Sequence, residues 1–267
     1  MEDDSATGLP ASLEAAWGLR DRPGKGPRPA LSLDRIVRAA IGVAEADGLG
    51  AVSMGRVARE LGAGTMALYR YVGAKGELLE LMTDAAFGPP PQLPTGPGTG
   101  PGSEPAAGSD WRSALDRWTR AVLDSYRRHP WLRHVPMESP PILPNQLRWL
   151  EGALAVTRDT GLTGPERLST AMLLAGYVRY WAQVTLDIAA AADASGVSPD
   201  EAMAAYGRRL ARLLDADRFP QLHGLVAGGE LQDEGEDPEA DFTFGLDRIL
   251  DGVAALIDRR AAVGTGQ

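Results

Sequence analysis

Apolar residues recur every three or four positions along most of this 267-residue chain. In one segment Trp111, Leu115, Trp118 and Val122 follow the spacing of a single helix face. We find no internal repeat and no convincing alternation of apolar and polar residues of the strand type. The sequence therefore predicts an all-α protein.

Capping residues and helix breakers set the bounds of the predicted helices. Ser32 and Ser53 are suitable N-caps, and Gly48 is a suitable stop. The tetrapeptides TGPE and SPDE, which begin at Thr163 and Ser198, have the spacing of a capping box. The predicted helices are Leu33–Asp47, Met54–Leu61, Thr65–Tyr71, one beginning near Ala74, one from Asp110 to Pro130, one from Pro144, one from Thr163 to about Ala192, one from Ser198 and one from Phe242 to about Arg260.

The composition excludes several classes of protein. The chain has no cysteine, which rules out disulfides and thiolate chemistry, and its 44% hydrophobic and 24% charged residues are ordinary for a globular protein. No apolar run approaches the ~20 residues that span a bilayer, and the acidic start MEDDSATGLP is unlike a secretory signal. We find no glycine-rich phosphate loop, no GxSxG motif and no metal-ligand spacing. These features predict a cytoplasmic protein, not an enzyme, without metal or cofactor.

The charge is unevenly distributed. The net charge of -9 argues against a nucleic-acid partner, since such proteins neutralise phosphates with Lys and Arg. Residues 52–75, however, hold four basic residues against one acidic, a net +3, whereas residues 110–267 hold 17 against 23, a net -6. A small basic region in a chain that is otherwise acidic is compatible with DNA binding.

The predicted second and third helices have the form of a helix-turn-helix. They are joined by Gly62, Ala63 and Gly64, and the third helix needs only Leu68 and Val72 as anchors. Its other residues are then available to DNA. The alternative is a small buried helix whose tyrosines pack in a core, which the neighbouring glycines disfavour. The residues predicted to be exposed are Thr65, Met66, Ala67, Tyr69, Arg70 and Tyr71.

A Pro/Gly-rich segment completes the predicted domain organisation. We assign residues 1–30 to a disordered arm, residues 31–87 to a DNA-binding domain of three or four helices, residues 88–109 to a linker or loop, and residues 110–262 to a larger helical domain. The arm carries Arg20, Arg22, Lys25 and Arg28 against Asp21 alone. It is either a plain disordered leader, the reading that we favour, or an arm that reaches a DNA minor groove.

The segment from Leu31 to Phe87 resembles the DNA-binding domain of the tetracycline-repressor (TetR) family. The resemblance lies in LGAGTMALYRYVGAKGELL and in the preceding AVSMGRVARELG. The later segments HPWLRHVPMESPPILPNQLRWLEGAL and FTFGLDRILDGVAAL are similar to the ligand-binding domain of the subgroup that contains the tetracycline repressor itself. The resemblance implies a regulator, most simply a repressor, that a small molecule releases from double-stranded operator DNA.

The resemblance assigns roles in DNA binding. Ser53 and Lys75 would hold phosphates, as would Tyr69, while Tyr71 would contact either bases or backbone. The predicted base-reading residues are Thr65, Met66, Ala67 and Arg70, with Arg70 suited to guanine.

Family resemblance also implies a homodimer and a palindromic operator. Helices from Pro165 to Ala192 and from Phe242 to Arg260 would form the interface. The apolar stripe of Leu246, Ile249, Val253 and Leu256 suits either that interface or an intramolecular core.

The inducer site should lie among the helices after Asp110. His129 occupies the position of a metal-ligating histidine of the tetracycline repressor, but Pro91 and Ala153 fall near positions where that protein has His and Gln, which disfavours a magnesium-tetracycline complex. We therefore expect a lipophilic or aromatic inducer. A constitutive DNA-binding regulator without a ligand, or an activator, stays open. The candidate ligand residues, each of which also suits a core, are Trp118, Tyr126, His129, Met137, Trp149, Met172, Tyr177 and Trp181.

Overall fold

The protein is all-α, as the sequence predicts. A computed structural model describes residues 9–19, 31–93, 111–229 and 239–264, and within these ranges it contains eleven α-helices and no strand. The helices are α1 Ala11–Ala16, α2 Leu33–Asp47, α3 Met54–Glu60, α4 Thr65–Leu68, α5 Lys75–Phe87, α6 Trp111–Arg128, α7 Pro144–Val156, α8 Gly164–Ser195, α9 Pro199–Leu213, α10 Pro220–Ala227 and α11 Ala240–Gly264, with short 3-10 helices at Leu49–Ala51 and Pro130–His134.

The predicted caps are formed. The Ser32 side chain accepts a hydrogen bond from the Arg35 N–H at 3.3 Å, and α2 ends at Gly48, whose φ of 80° favours glycine. At the start of α9, Ser198 and Glu201 exchange both bonds of a capping box, at 3.1 and 2.9 Å. The bounds of α2 and the starts of α3, α4 and α7 therefore fall where the sequence predicted them.

Helices α2 to α5 share one small core. Ile36 and Ala40 of α2 are fully buried, as are Leu68 of α4 and Leu78 of α5. These side chains leave water together, so the four helices are stabilised by apolar burial that none of them obtains alone.

The described chain separates into two compact units. One comprises residues 1–179 and 253–267, and the other residues 180–252. This division differs from the predicted boundary at residues 88–109, because α5 packs directly on α6 and α7. In the second unit, Trp181 and the fully buried Phe242 place their ring centroids 5.9 Å apart.

The apolar stripe on α11 lies mainly inside the single chain. Leu246 is fully buried and Val253 is 6% exposed, so these two side chains take the core role that the sequence left open. Ile249 and Leu256 stay partly exposed.

The described part of the predicted disordered arm is ordered. Residues 11–16 form α1, where Ser12 and Glu14 are buried, and the Trp17 Nε1–H donates to the Ile142 carbonyl at 3.0 Å. The prediction is therefore wrong for this stretch, because contacts with residues far along the chain stabilise a helix that is too short to persist alone. The basic residues Arg20, Arg22, Lys25 and Arg28 lie outside the described residues, as do positions 94–110 and 230–238.

Helix α10, which begins at Pro220, was not predicted from the sequence, and none of its residues is buried.

Among the described residues, no helix is long and apolar enough to cross a membrane.

Candidate nucleic-acid interface

A tight turn joins α3 to α4. Gly62 adopts a φ of 63°, and the Ala63 N–H donates back to the Ala58 carbonyl at 2.9 Å. Glycine enters this left-handed region without the steric cost that a side chain would bring. The turn is compact, so α4 projects from α3 at once, as a helix-turn-helix requires.

Helix α4 is anchored on one side and uncovered on the other. Leu68 and Val72 are fully buried, whereas Met66 is 78% exposed and Tyr69 is 46% exposed. Thr65 and Arg70 are also exposed, and Ala67 is half-buried. This arrangement differs from the alternative prediction, which was a small buried helix whose tyrosines pack in a core.

Tyr71 differs from the prediction. It is half-buried, and its hydroxyl donates to the Leu31 carbonyl at 3.1 Å. The N–H groups of Tyr71 and Val72 both bond to the Leu68 carbonyl, at 2.8 and 3.0 Å, so the chain tightens after α4. The Tyr71 ring thus lies inward, and its hydroxyl joins the segment after α4 to Leu31, the residue before the N-cap of α2.

The four basic residues of residues 52–75 fall into two groups. Arg56 is paired with two carboxylates, because its guanidinium donates to Glu60 at 2.6 Å and to Asp47 at 3.1 Å. These two hydrogen bonds raise the pKa of Arg56. Within the described part of the chain, no carboxylate pairs with Arg59, Arg70 or Lys75, all of which are exposed. These three cations are available to phosphates or bases.

Ser53 caps α3 and keeps its hydroxyl proton exposed. Its hydroxyl oxygen accepts from the Arg56 N–H at 3.2 Å and thereby caps α3. The O–H proton of an exposed serine stays available as a donor, so a capping serine can still bind a phosphate oxygen.

One face of α5 is joined to the segment that leads into α7. An added Cβ on Gly76 would lie 3.0 Å from the Glu138 carboxylate, so the Glu138 side chain lies against the backbone of α5 there. The other contacts are made by the residues that follow Gly76 at intervals of four, which are Glu80, Asp84 and Gly88. Ser139 Oγ donates to Glu80 at 2.7 Å, the Gln146 N–H donates to Asp84 at 2.9 Å, and the Trp149 Nε1–H donates to the Gly88 carbonyl at 2.9 Å. We call this set of contacts the α5 seam.

Asp84 is the buried carboxylate of the α5 seam. It accepts from the Gln146 N–H and from the Asn145 side chain, the latter at 3.2 Å. Burial raises the pKa of the Asp84 carboxyl, and these hydrogen bonds oppose the rise. Helix α7 has Leu143 at its N-cap, which offers no side-chain oxygen, so a carboxylate from α5 supplies the cap.

A second connection links α2 to the 3-10 helix that follows α6. His129 Nδ1 lies 2.9 Å from a Glu45 carboxylate oxygen. The predicted ligand residue His129 therefore has a structural partner on α2.

Three of the predicted ligand residues lie together in a buried aromatic cluster. Phe87 contacts Tyr126 and Trp149, with ring centroids 5.6 and 6.1 Å apart, and the Trp118 and Trp149 centroids are 6.0 Å apart. Burial raises the pKa of Tyr126, while the neighbouring Arg179 opposes the rise. Because Phe87 ends α5, this cluster extends the α5 seam.

The other predicted ligand residues are not part of this cluster. Met137 and Met172 are exposed, whereas Tyr177 and Trp181 are half-buried and belong to different units. Sequence reasoning missed Trp131, whose Nε1–H is the one buried side-chain polar atom without a partner among the described residues. The local sequence, Pro130, Trp131 and Leu132, contains no pattern that predicts a buried N–H group without a partner.

The comparisons with known proteins agree with this arrangement. The family described as "Bacterial regulatory proteins, tetR family" matches residues 36–82, and the family described as "Tetracyclin repressor-like, C-terminal domain" matches residues 104–257. The HTH-type transcriptional repressor DrrR1 of Streptomyces coeruleorubidus is 38% identical over 260 residues, which is 97% of this chain and 90% of the relative.

Solved structures show the same fold. Apo ActR from Streptomyces coelicolor matches with a TM-score of 0.68 at 26% identity, covering 87% of this chain and 99% of ActR. ActR in complex with actinorhodin matches with a TM-score of 0.67 at 27% identity, covering 86% and 97%. A helix-turn-helix with an uncovered second helix, two matching family descriptions and a relative aligned over nearly the whole chain lead to one conclusion: this chain belongs to the TetR family of bacterial transcriptional regulators.

Proposed function

We propose that the protein binds a palindromic operator as a homodimer and leaves it when a small lipophilic or aromatic molecule binds. The observation that carries this proposal is the uncovered face of α4, beside three cations that no described carboxylate neutralises. Exposed cations without a carboxylate partner are the groups with which a protein neutralises DNA phosphates. Such a regulator acts in the cytoplasm, where bacterial DNA lies.

The contacts divide between bases and phosphates. Arg70 is suited to the O6 and N7 acceptors of guanine, and Met66 and Ala67 to a thymine methyl, with Thr65 at the same edge. Ser53, Tyr69 and Lys75 hold the sugar-phosphate backbone. Tyr71 takes no part in this division, since its hydroxyl is bonded to Leu31.

Selection of bound fragments from random double-stranded DNA tests the proposal. The wild-type protein is expected to enrich a palindrome, and Arg70→Ala is expected to lose preference at one symmetric pair of positions. Arg158→Ala, which removes an exposed arginine after α7, is the control and should select the wild-type palindrome. Failure of the wild-type protein to enrich any sequence would contradict the proposal.

The exposed apolar residues of α8 support a homodimer. In the first unit these are Leu168, Met172 and Leu173, and in the second unit Tyr180, Val184 and Ile188. An apolar face of this extent on a long helix is typical of an interface with a second copy. A two-fold dimer would place two α4 helices about 34–36 Å apart, one turn of DNA.

The α5 seam is the proposed route from ligand to DNA. A ligand among the helices after residue 110 that moves the segment from Glu138 to Trp149 would also move α5, and with it the turn that follows α4. A coupling free energy of about 1–3 kcal/mol between the two sites is typical. The match to ActR, solved with actinorhodin, supports an aromatic ligand.

Tryptophan fluorescence distinguishes this regulator from a constitutive one. Trp118, Trp131 and Trp149 are buried, so an aromatic compound that binds near them is expected to quench their emission and to weaken operator binding over the same concentration range. Trp131 is a candidate to donate a hydrogen bond to the ligand, because its buried N–H has no partner among the described residues. Trp131→Phe tests this role, since it keeps an aromatic ring and removes the N–H. If a broad panel of aromatic compounds leaves both signals unchanged, the constitutive alternative is favoured.

A further inference from the structure

Helix α1 is attached at both ends to the first unit. Ser12 is 4% exposed and donates its hydroxyl hydrogen bond to a Glu77 carboxylate oxygen on α5. At the other end, the Trp17 Nε1–H bonds to the Ile142 carbonyl at 3.0 Å. Gly18, with a φ of 67°, then terminates the helix. A six-residue helix gains its order from such contacts, so α1 and the elements that it contacts are ordered together.

Glu77 connects α1 to the turn between α4 and α5. Its second carboxylate oxygen accepts the Gly73 N–H, while its first accepts from Ser12. The N-cap of α5 is Ala74, which has no side-chain acceptor. Glu77 is therefore the group that satisfies the backbone just before α5, and Ser12 fixes the rotamer in which it does so.

The same turn presents Lys75. Gly73 stands between Val72, the last buried anchor after α4, and Lys75, the first residue of α5. Lys75 is exposed and makes no ion pair among the described residues. A carboxylate two residues away would repel a phosphate, but here two donors occupy its oxygens.

We infer that α1 is a positioning element for DNA binding, in which Ser12 holds Glu77 on Gly73 and so fixes the turn that offers Lys75 to a phosphate. This inference rests on the proposed function, because it requires that Lys75 contacts DNA. Ser12 itself touches no DNA in this account.

A double-mutant cycle between Ser12→Ala and Lys75→Ala tests the inference. Full-length variants are titrated with the selected palindrome at several salt concentrations, and the slope of log K against log salt is measured. Ser12→Ala is expected to weaken binding about two- to tenfold for each subunit, the effect of one hydrogen bond, and to reduce the slope by up to ~1.8, the share of one phosphate in each subunit of the dimer. In the Lys75→Ala background, Ser12→Ala is expected to have no further effect on either quantity.

Ser198→Ala is the control. It removes another serine hydroxyl, one that accepts from the Glu201 N–H and caps α9, outside both residues 31–93 and the α5 seam. It should leave the salt slope unchanged, and Ser12→Thr, which keeps the hydroxyl, should restore the wild-type slope. A melting temperature for each variant separates loss of fold from loss of positioning.

The two possible failures are distinguishable. If the wild-type protein selects no DNA sequence, the proposed function is wrong. If it selects a palindrome but Ser12→Ala binds like wild type, or its effect adds in full to that of Lys75→Ala, the positioning role of α1 is wrong.

Discussion

At the scale of single residues, the pairing of each cation decides what it can contact. Arg56 is held by Glu60 and Asp47, whereas no described carboxylate holds Arg70 or Lys75. Arg70 and Lys75, which are assigned different contacts, also differ in position. Arg70 follows the uncovered face of α4, and Lys75 opens α5.

Arg70→Ala and Lys75→Ala should therefore weaken DNA binding in different ways. Loss of a bidentate guanine contact costs about 1–3 kcal/mol and relaxes the preference at one base pair. Loss of the Lys75 ammonium should weaken all sequences alike and lower the salt slope by about 2, about 1 for each subunit of the dimer. Fluorescence anisotropy with operator and random DNA measures both effects. Equal losses on the two DNAs for both variants would show that the division is wrong.

Glu166 provides a prediction about acid stability. The Arg260 guanidinium, together with the N–H and hydroxyl of Thr163, lowers the pKa of Glu166 to about 2. Since the folded pKa lies below the ordinary value, the ionised form stabilises the folded state above about pH 4.5. This contribution is lost as the pH falls through about 2.

Urea unfolding of Glu166→Gln over a pH series tests this. The variant should unfold more easily than wild type above about pH 4.5, and the difference should shrink as the pH falls towards about 2. Glu151→Gln, at an exposed glutamate of α7, is the control. A difference that does not vary with pH would mean that the ion pair with Arg260 contributes nothing through ionisation.

At the scale of elements, α5 completes the start of α7. Leu143 cannot cap α7, and the Gln146 side chain accepts only the Leu143 and Ile142 N–H groups, at 3.3 and 3.2 Å. The N–H of Gln146 itself bonds to Asp84, so the cap comes from another helix.

Asp84→Ala should destabilise the protein by about 0.5–2 kcal/mol, the range for loss of an N-cap. Asp84→Asn keeps one acceptor oxygen and should lose less. Asp124→Ala on α6, at an exposed aspartate that pairs with Arg127, should change the free energy of unfolding little. Urea unfolding at neutral pH gives all three values, and an Asp84→Ala variant as stable as wild type would rule out the capping role.

These elements also show what sequence can and cannot predict. Helix α2 was predicted at its observed bounds, because Ser32 and Gly48 act on neighbouring residues. The end of α4 was predicted three residues late, because the chain tightens at Leu68 and the Tyr71 hydroxyl bonds to Leu31, a contact 40 residues away that no local pattern contains. The Asp84 cap and the order of α1 depend on residues more than 60 positions away, which no local pattern contains.

At the scale of the whole molecule, the residues proposed to bind DNA form a small basic region on an acidic chain. Residues 52–75 carry a net +3, four basic residues against one acidic, while the chain carries -9. One such basic region supplies few phosphate contacts, and the two copies that a dimer brings to one operator double that number. In the proposed mode of binding, tight binding therefore depends on a dimer.

Charged substitutions on the exposed face of α8 should prevent dimer formation. Tyr180 is 69% exposed, and Leu168 on the same helix is 41% exposed, so glutamate at either position is tolerated in a single chain. In a dimer each change would bury two unpaired carboxylates, whose desolvation costs several kcal/mol. Tyr180→Glu and Leu168→Glu are expected to sediment as monomers and to bind the palindrome far more weakly than wild type. Leu213→Glu, at a 75% exposed leucine of α9, is the control and should remain dimeric. Dimers of unchanged stability in both α8 variants would place the interface on another surface.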